Sequence, residues 1–332
     1  MYLLLAGDGG LSLAALVGRV PGGISQGLIW GIMALGVFLT FRVLDIADLS
    51  VDGSFATGGA VATMLIIGGC PAWLATLCAL VSGLIAGLVT GLLHAKLGIP
   101  AILAGILTQF ALYSVNLRIM GMAANQSINP AQYSLLISMR SIPTAILEGV
   151  IFAAILVVIL YCYFGTEHGS ALRATGNNPA MSTALGVNIS TMKIVGLAIS
   201  NGIVALAGGL MAQYQGFSDV NMGRGAIVIG LAAIIIGEII CDAIFKKGTH
   251  MWVRMGFVVI GGIIYYLVMI IVLWLKLDPN DLKLFTALIV TIFLAVPYFQ
   301  KKAKNSFSWA GKRSLPYMEA IRNSLKSGKE AK

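Results

Sequence analysis

The residue types that carry most enzymatic chemistry are sparse in this sequence and form no catalytic grouping. His94, His168 and His250 are scattered, with no spacing that would hold a metal. Cys70, Cys78, Cys162 and Cys241 lie in or at the ends of apolar stretches without a Cys-x-x-Cys pair, the pattern of free thiols in apolar surroundings. No Gly-x-x-x-x-Gly-Lys-Ser/Thr run occurs, so the chain does not itself cradle nucleotide phosphates in the usual loop. Neither a Ser/His/Asp nor a Cys/His constellation is visible. Glu238 and Asp242 stand four residues apart with Lys246 one turn on. They read either as a proton relay or, more simply, as charges snorkelling to an interface.

The remaining polar chemistry collects in three clusters. Residues 42–54 carry Asp45, Asp48, Ser50, Asp52 and Ser54 with little basic compensation, ahead of a short apolar stretch. A solvated loop would hold them. So would a helix that begins within the depth of a membrane and aims its N–H groups at a cavity. Residues 213–225 carry Gln213, Gln215, Asp219 and Arg224. Asp48-Leu-Ser-Val-Asp-Gly-Ser and Asp219-Val-Asn-Met-Gly-Arg-Gly share an acid, an aliphatic, a small polar residue, an aliphatic and a Gly-rich helix entry, as an inverted repeat would. The third cluster, residues 165–190, contains Arg173, Gly176, Asn177, Asn178, Pro179 and Gly186. Asn178 suits an N-cap, Pro179 the first helical turn and Gly186 the C′ position, which predicts a two-turn helix over 179–185. Met181, Ala184 and Leu185 then share one face. A helix this short is unstable alone, and its apolar face needs either its own protein or a partner to cover it.

The elements that must position these clusters follow from composition. Of the 332 residues, 58% are hydrophobic and only 11% charged, against roughly 25% charged in soluble domains. Mean hydropathy is +0.92. Such a chain is no soluble enzyme, disordered segment or disulfide scaffold; it is an all-α polytopic membrane protein. Nine spans are expected, near 24–41, 54–69, 72–93, 100–118, 145–164, 194–213, 226–244, 256–274 and 283–299. Residues 1–23 read as a lead-in segment and 300–332 as a basic tail. Residues 1–17, interrupted by Asp8, Gly9 and Gly10, lack a basic start and a cleavage site, so no signal peptide is expected.

Nine of the 22 basic residues lie between Lys301 and Lys332. Placing that tail in the cytosol puts 16 Lys and Arg inside and six outside, which agrees with the positive-inside rule. The net charge of +9 then reports topology, and no nucleic-acid partner is expected: the tail reads as an anionic-lipid or solvated segment rather than a base-stacking site. Gly83, Gly87 and Gly91, and likewise Gly27 and Gly31, form stripes that let helices approach closely within one subunit or between two.

The segment Leu172-Arg-Ala-Thr-Gly-Asn-Asn-Pro-Ala-Met-Ser-Thr-Ala-Leu-Gly-Val-Asn188 resembles the cytoplasmic loop of ABC importer permeases of the branched-chain amino acid/ribose type. Asp48 to Ala60 and Ala205 to Gly216 resemble the family's entry to the second span and its sixth-span Gly-rich stretch, and the likeness runs over about 24–299. Within that family the chain is most similar to permeases of tryptophan/tyrosine type. Glu238 departs from the family, whose members often continue a Gly-Gly pair there.

The resemblance implies a transport subunit, not an enzyme, in the cell (inner) membrane with a cytoplasmic C-terminus. Its partners would be cytosolic ABC ATPase subunits that bind the ATP, an extracytoplasmic substrate-binding protein and a second permease subunit, in a homodimer. The chain itself would need no cofactor, and the solute would be a small molecule, an amino acid of aromatic or branched-chain type. It further implies that 179–185 is a coupling helix, with Arg173, Gly176, Asn177, Asn178, Pro179, Met181, Leu185 and Gly186 at the ATPase contact. Pathway candidates are Asp48, Ser50, Asp52, Ser54, Gln109, Asn116, Asn201, Gln213 and Gln215. The alternative function is an ATP-independent secondary transporter driven through Glu238 and Asp242.

Overall fold

The computed structural model describes residues 13–245 and 250–274, together with Leu284, Ala287, Leu288, Val290, Thr291 and Ala295. The described helices are α1 (Leu13–Phe38), α2 (Val51–Ile67), α3 (Ala72–Ala95), α4 (Ala101–Ile119), α5 (Ile142–Gly165), α6 (Glu167–Asn177), α7 (Pro179–Ala184), α8 (Ile189–Gln215), α9 (Ala226–Ile244) and α10 (Met251–Trp274). From Ala287 onward the chain forms a separate unit, in which the Thr291 hydroxyl donates to the Ala287 carbonyl at 2.7 Å.

Among the described residues, seven helices are long and apolar enough to cross a membrane: α1 with its extension to Val43, α3, α4, α5, α8, α9 and α10. These seven match seven of the nine expected spans. The second expected span, 54–69, is the 17-residue α2, which begins at Val51 and is shorter than a full crossing. The ninth, 283–299, and the basic tail 300–332 lie outside the described residues except at the six isolated positions. The first span is longer than the expected 24–41: its helix, α1, starts at Leu13 and runs through Pro21.

Small residues set the architecture. In α1 and α8, 83% and 78% of the spanning window is buried, against 28–39% in the other five spans. The Ser200-Asn-Gly-Ile-Val-Ala-Leu-Ala-Gly-Gly209 run makes α8 thin enough to be enclosed on several sides, by α1, α2 and α3. The Gly83, Gly87 and Gly91 stripe of α3 faces α8: added methyl groups there would strike the Asn201 carbonyl, the Leu197 carbonyl and the Ile194 Cα. Gly27 and Gly31 of α1 meet the backbone of Ile263 and Val259 on α10 in the same way. Both stripes thus serve packing within one chain. By contrast, α5 carries large aliphatic side chains, and Leu147, Ile151, Ile155 and Val158 are exposed, as a lipid-facing helix requires.

Two features were absent from the sequence reading. After Phe38 the helix loosens into a π-helical turn, Leu39–Val43, and Leu44 N–H donates to the Leu39 carbonyl at 3.1 Å. Asp45 then takes a left-handed conformation, φ +55°, which turns the chain out of the helix. A two-stranded antiparallel ribbon also joins β1 (Asn125–Ser127) to β2 (Phe217–Asp219), with Gln126 opposite Ser218. It qualifies the all-α expectation. The ribbon follows the C-terminal end of α8, while α6 and α7 precede its N-terminal end, so ribbon and short helices lie at opposite ends of the bundle.

Candidate functional site

The short helices are built by local capping. Thr166 Oγ1 accepts from Gly169 N–H at 3.2 Å to open α6, a helix that the sequence reading did not anticipate. Leu172 on α6 is fully buried, and the Arg173 guanidinium donates to the Phe164 carbonyl at 3.1 Å. Gly176 lies so close to Val43 that a methyl group would meet its carbonyl. Asn177 ends α6. Asn178 Oδ1 accepts from Met181 N–H at 3.0 Å, Pro179 occupies the first turn of α7, and Gly186 is left-handed at φ +82°. The helix closes at Ala184, one residue before the expected end. Met181 and Leu185 remain 60% and 70% exposed, so the bundle does not cover this apolar face.

Four of the pathway candidates close on one another. Asp48 Oδ1 accepts from the Ser50 N–H at 2.9 Å and from the Ser50 hydroxyl at 2.6 Å, and Asp48 Oδ2 accepts from Asn201 Nδ2 at 2.7 Å. The Ser54 hydroxyl donates to Asn201 Oδ1 at 2.6 Å, and Asn201 Nδ2 also reaches the Leu197 carbonyl at 3.0 Å. All four residues are buried, and every polar atom of Asn201 is used. Asp48, Ser50, Ser54 and Asn201 therefore tie the entry of α2 to the middle of α8.

Asp52 does something different. Its carboxylate accepts from Gly225 N–H at 2.9 Å and Ile227 N–H at 3.0 Å, capping α9 from the first turn of α2. Arg42 in the π-helical turn pairs with Glu238 on α9 at 2.8 Å. Ile227 and Glu238 are eleven residues apart, about 16 Å along the helix axis. The segment 44–50 must therefore climb about that far along the bundle before α2 begins, roughly half of a 30 Å hydrocarbon core. Of the two readings of residues 42–54, this favours the helix that starts within the membrane depth.

At that level a cavity of about 290 Å³ opens beside α4. The candidates Asp52, Gln109 and Asn116 line it, joined by Asn221 and Arg224 from the loop before α9 and by Phe110 and Tyr113. A second cavity, about 470 Å³, lies at the α6 end and is lined by Arg42, Arg173, Asn177 and Arg254. Among the described residues, Glu238 and Asp242 of α9 pair with other elements, Glu238 with Arg42 and Asp242 with Arg254 at 3.5 Å. Lys246 lies outside the described residues.

A model of the branched-chain amino acid transport system permease component matches residues 20–296. The chain belongs to this permease family. It is 41% identical to a tyrosine transport system permease protein of Clostridioides difficile (strain R20291), over 82% of this chain and 89% of that one. An uncharacterized protein, RP368, of Rickettsia prowazekii is 33% identical over 82% and 95%. The ribose import permease protein RbsC of Haemophilus influenzae is 24% identical over 72% and 73%. No solved structure matches the chain. As a permease component this multi-pass membrane protein is a transport subunit and not itself an enzyme.

Within the permease, Gln213 acts as a strut: its Nε2 donates to Thr76 Oγ1 at 2.8 Å, and its Oε1 accepts from Leu136 N–H at 3.2 Å. Gln215 is half-buried at the end of α8. Sequence reasoning missed Arg224, Asn221 and Tyr113 as neighbours of Asp52. The loop before α9 was noted, but nothing in residues 216–225 specifies that it folds back onto α2, 173 residues away.

Proposed function

We propose that this permease is the transmembrane subunit of an ATP-driven importer that moves an amino acid inward by alternating access. The observation that carries the reading is the exposed Met181 and Leu185 face on a helix capped at both ends. A six-residue helix is preserved by its caps and its neighbours, and its uncovered apolar side suits docking into a separate ATPase. Arg173, Gly176, Asn177, Asn178, Pro179 and Gly186 shape or flank that contact. The substrate class rests on the tyrosine permease relative, which favours an aromatic amino acid over a sugar.

The assembly in this reading has two copies of the chain, two cytosolic ATPases and an extracytoplasmic binding protein, with the C-terminal tail in the cytosol. An inverted repeat is supported by matching local turns: Asp48 accepts from the N–H of Ser50, two residues on, and Asp219 accepts from that of Asn221 at 2.6 Å. ATP binding in the partner would shift α6 and α7, and Gly176 against Val43 would pass that movement to the π-helical turn and α2. Leu185→Asp tests the reading: the variant should insert normally and lose co-purification of the ATPase. Retained co-purification would overturn the docking assignment.

A further inference from the structure

The cavity beside Asp52 holds an unusual set of unspent polar groups. Asn116 is 1% exposed, yet its Oδ1 has no hydrogen-bond partner among the described residues, and the same is true of the buried Oδ1 of Asn221. A buried acceptor without a donor is destabilising, so two on residues lining one cavity mark a place built for a donor. The Asp52 carboxylate lies in the same wall. On the other side, the Arg224 guanidinium is exposed and makes no hydrogen bond or ion pair among the described residues. Phe110 and Tyr113, 71% and 43% exposed, form the apolar rim on α4.

A charged, polar cavity at mid-depth cannot open to lipid, because arginine and unpaired amides are costly in hydrocarbon. It must open to a water-filled path. We infer that this cavity is a transit site for a zwitterionic α-amino acid. The ammonium group supplies donors to Asn116 Oδ1, Asn221 Oδ1 and the Asp52 carboxylate, Arg224 takes the α-carboxylate, and the side chain lies along Phe110 and Tyr113. The inference rests on the amino-acid reading above and names the residues that would recognise each end of the substrate. The volume, about 290 Å³, lies just below the usual range of ligand pockets, which begins at roughly 300 Å³.

The test uses the full chain in nanodiscs, without the binding protein, and ligand-observed saturation-transfer NMR. The probes are L-tyrosine, L-leucine, tyramine (no carboxylate) and 3-(4-hydroxyphenyl)propionate (no amine). With the native chain, L-tyrosine should give at least threefold more transfer than either truncated probe. Arg224→Gln should reduce the L-tyrosine response at least fivefold and leave tyramine unchanged, while Arg224→Lys retains most of it. Asn116→Leu should reduce L-tyrosine and tyramine but not the propionate. These crossed losses separate recognition from misfolding, which would lower all probes together. Equal responses in the native chain and Arg224→Gln, or no signal from L-tyrosine and L-leucine with the native chain, overturn the site. Import by the assembled transporter is measured separately. Amino-acid import with an unchanged Arg224→Gln response removes this site alone, whereas absence of any amino-acid import removes the reading beneath it.

Discussion

Asp52 on α2 holds the backbone N–H of Gly225, the residue that opens α9, at 2.9 Å across 173 residues of sequence. A second bond to Ile227 at 3.0 Å makes the carboxylate the cap of a helix to which it does not belong. Asp52 also lies in the first turn of α2, so the positive ends of two helix dipoles converge on one negative charge.

Replacing that carboxylate should loosen α9. Asp52→Ala should lower stability by about 2 kcal/mol, the upper range for a lost helix cap, and Asp52→Asn by less because one acceptor oxygen remains. Thermal unfolding in detergent, followed by tryptophan fluorescence, checks the order. Equal midpoints for the native chain and Asp52→Ala would contradict it.

Asn201 is the hub of the lock between α2 and α8, and its removal strands several partners at once. Asn201→Ala leaves the buried Asp48 carboxylate with one fewer donor and frees the Ser54 hydroxyl. A loss of about 2–4 kcal/mol is expected, larger than for a typical surface change. The fraction surviving as a monodisperse peak after heating measures it.

Close helix approach predicts a contrast between two glycines. A methyl group on Gly58 would meet the Ala205 backbone carbonyl, whereas one on Gly165 meets nothing within 4 Å. Gly58→Ala should cost about 1–3 kcal/mol by overpacking. Gly165→Ala, on a helix end with open space, should be neutral or slightly stabilising. Parallel denaturation of the two variants decides the matter, and similar curves would mean that α2 and α8 can separate freely.

Asn178 caps α7 through Met181 N–H, and Asn178→Ala should lose about 1 kcal/mol of helix stability. Because α7 has only six residues, in the proposed docking role that loss should appear as weaker ATPase coupling rather than global unfolding. The prediction is a several-fold fall in transport-stimulated ATP hydrolysis, restored by Asn178→Asp or Asn178→Ser. Full coupling in the alanine variant would argue that the cap is dispensable.

Glu238 pairs with a half-exposed Arg42, a contact of the class that contributes about 0–1 kcal/mol. Glu238→Gln should therefore keep uptake within about twofold at every pH assayed. Abolished uptake, or uptake that persists without an ATPase, would instead support proton-coupled transport.

Residues close in sequence carried most of what could be read early. The caps around α7 were legible because Asn178, Pro179 and Gly186 act on neighbours within a few positions. Apolar runs of sufficient length located seven spans for the same reason. The glycine stripes announced close packing but not against which helix. The first span was expected from 24, whereas α1 begins at Leu13 and accommodates Pro21 within the helix.

The division among the polar candidates came from contacts between distant segments. Asp48, Ser50 and Ser54 looked equivalent to Asp52 in the sequence, since all four are small polar residues at a helix entry. Folding turns three of them toward Asn201, 147–153 residues away, and the fourth toward α9 and a cavity. Side-chain period and capping chemistry act over one or two turns, so the amino-acid order dictates helices, their ends and their lipid preference. Which buried polar group is satisfied, and which is left facing open space, depends on the partner that packing brings across the bundle.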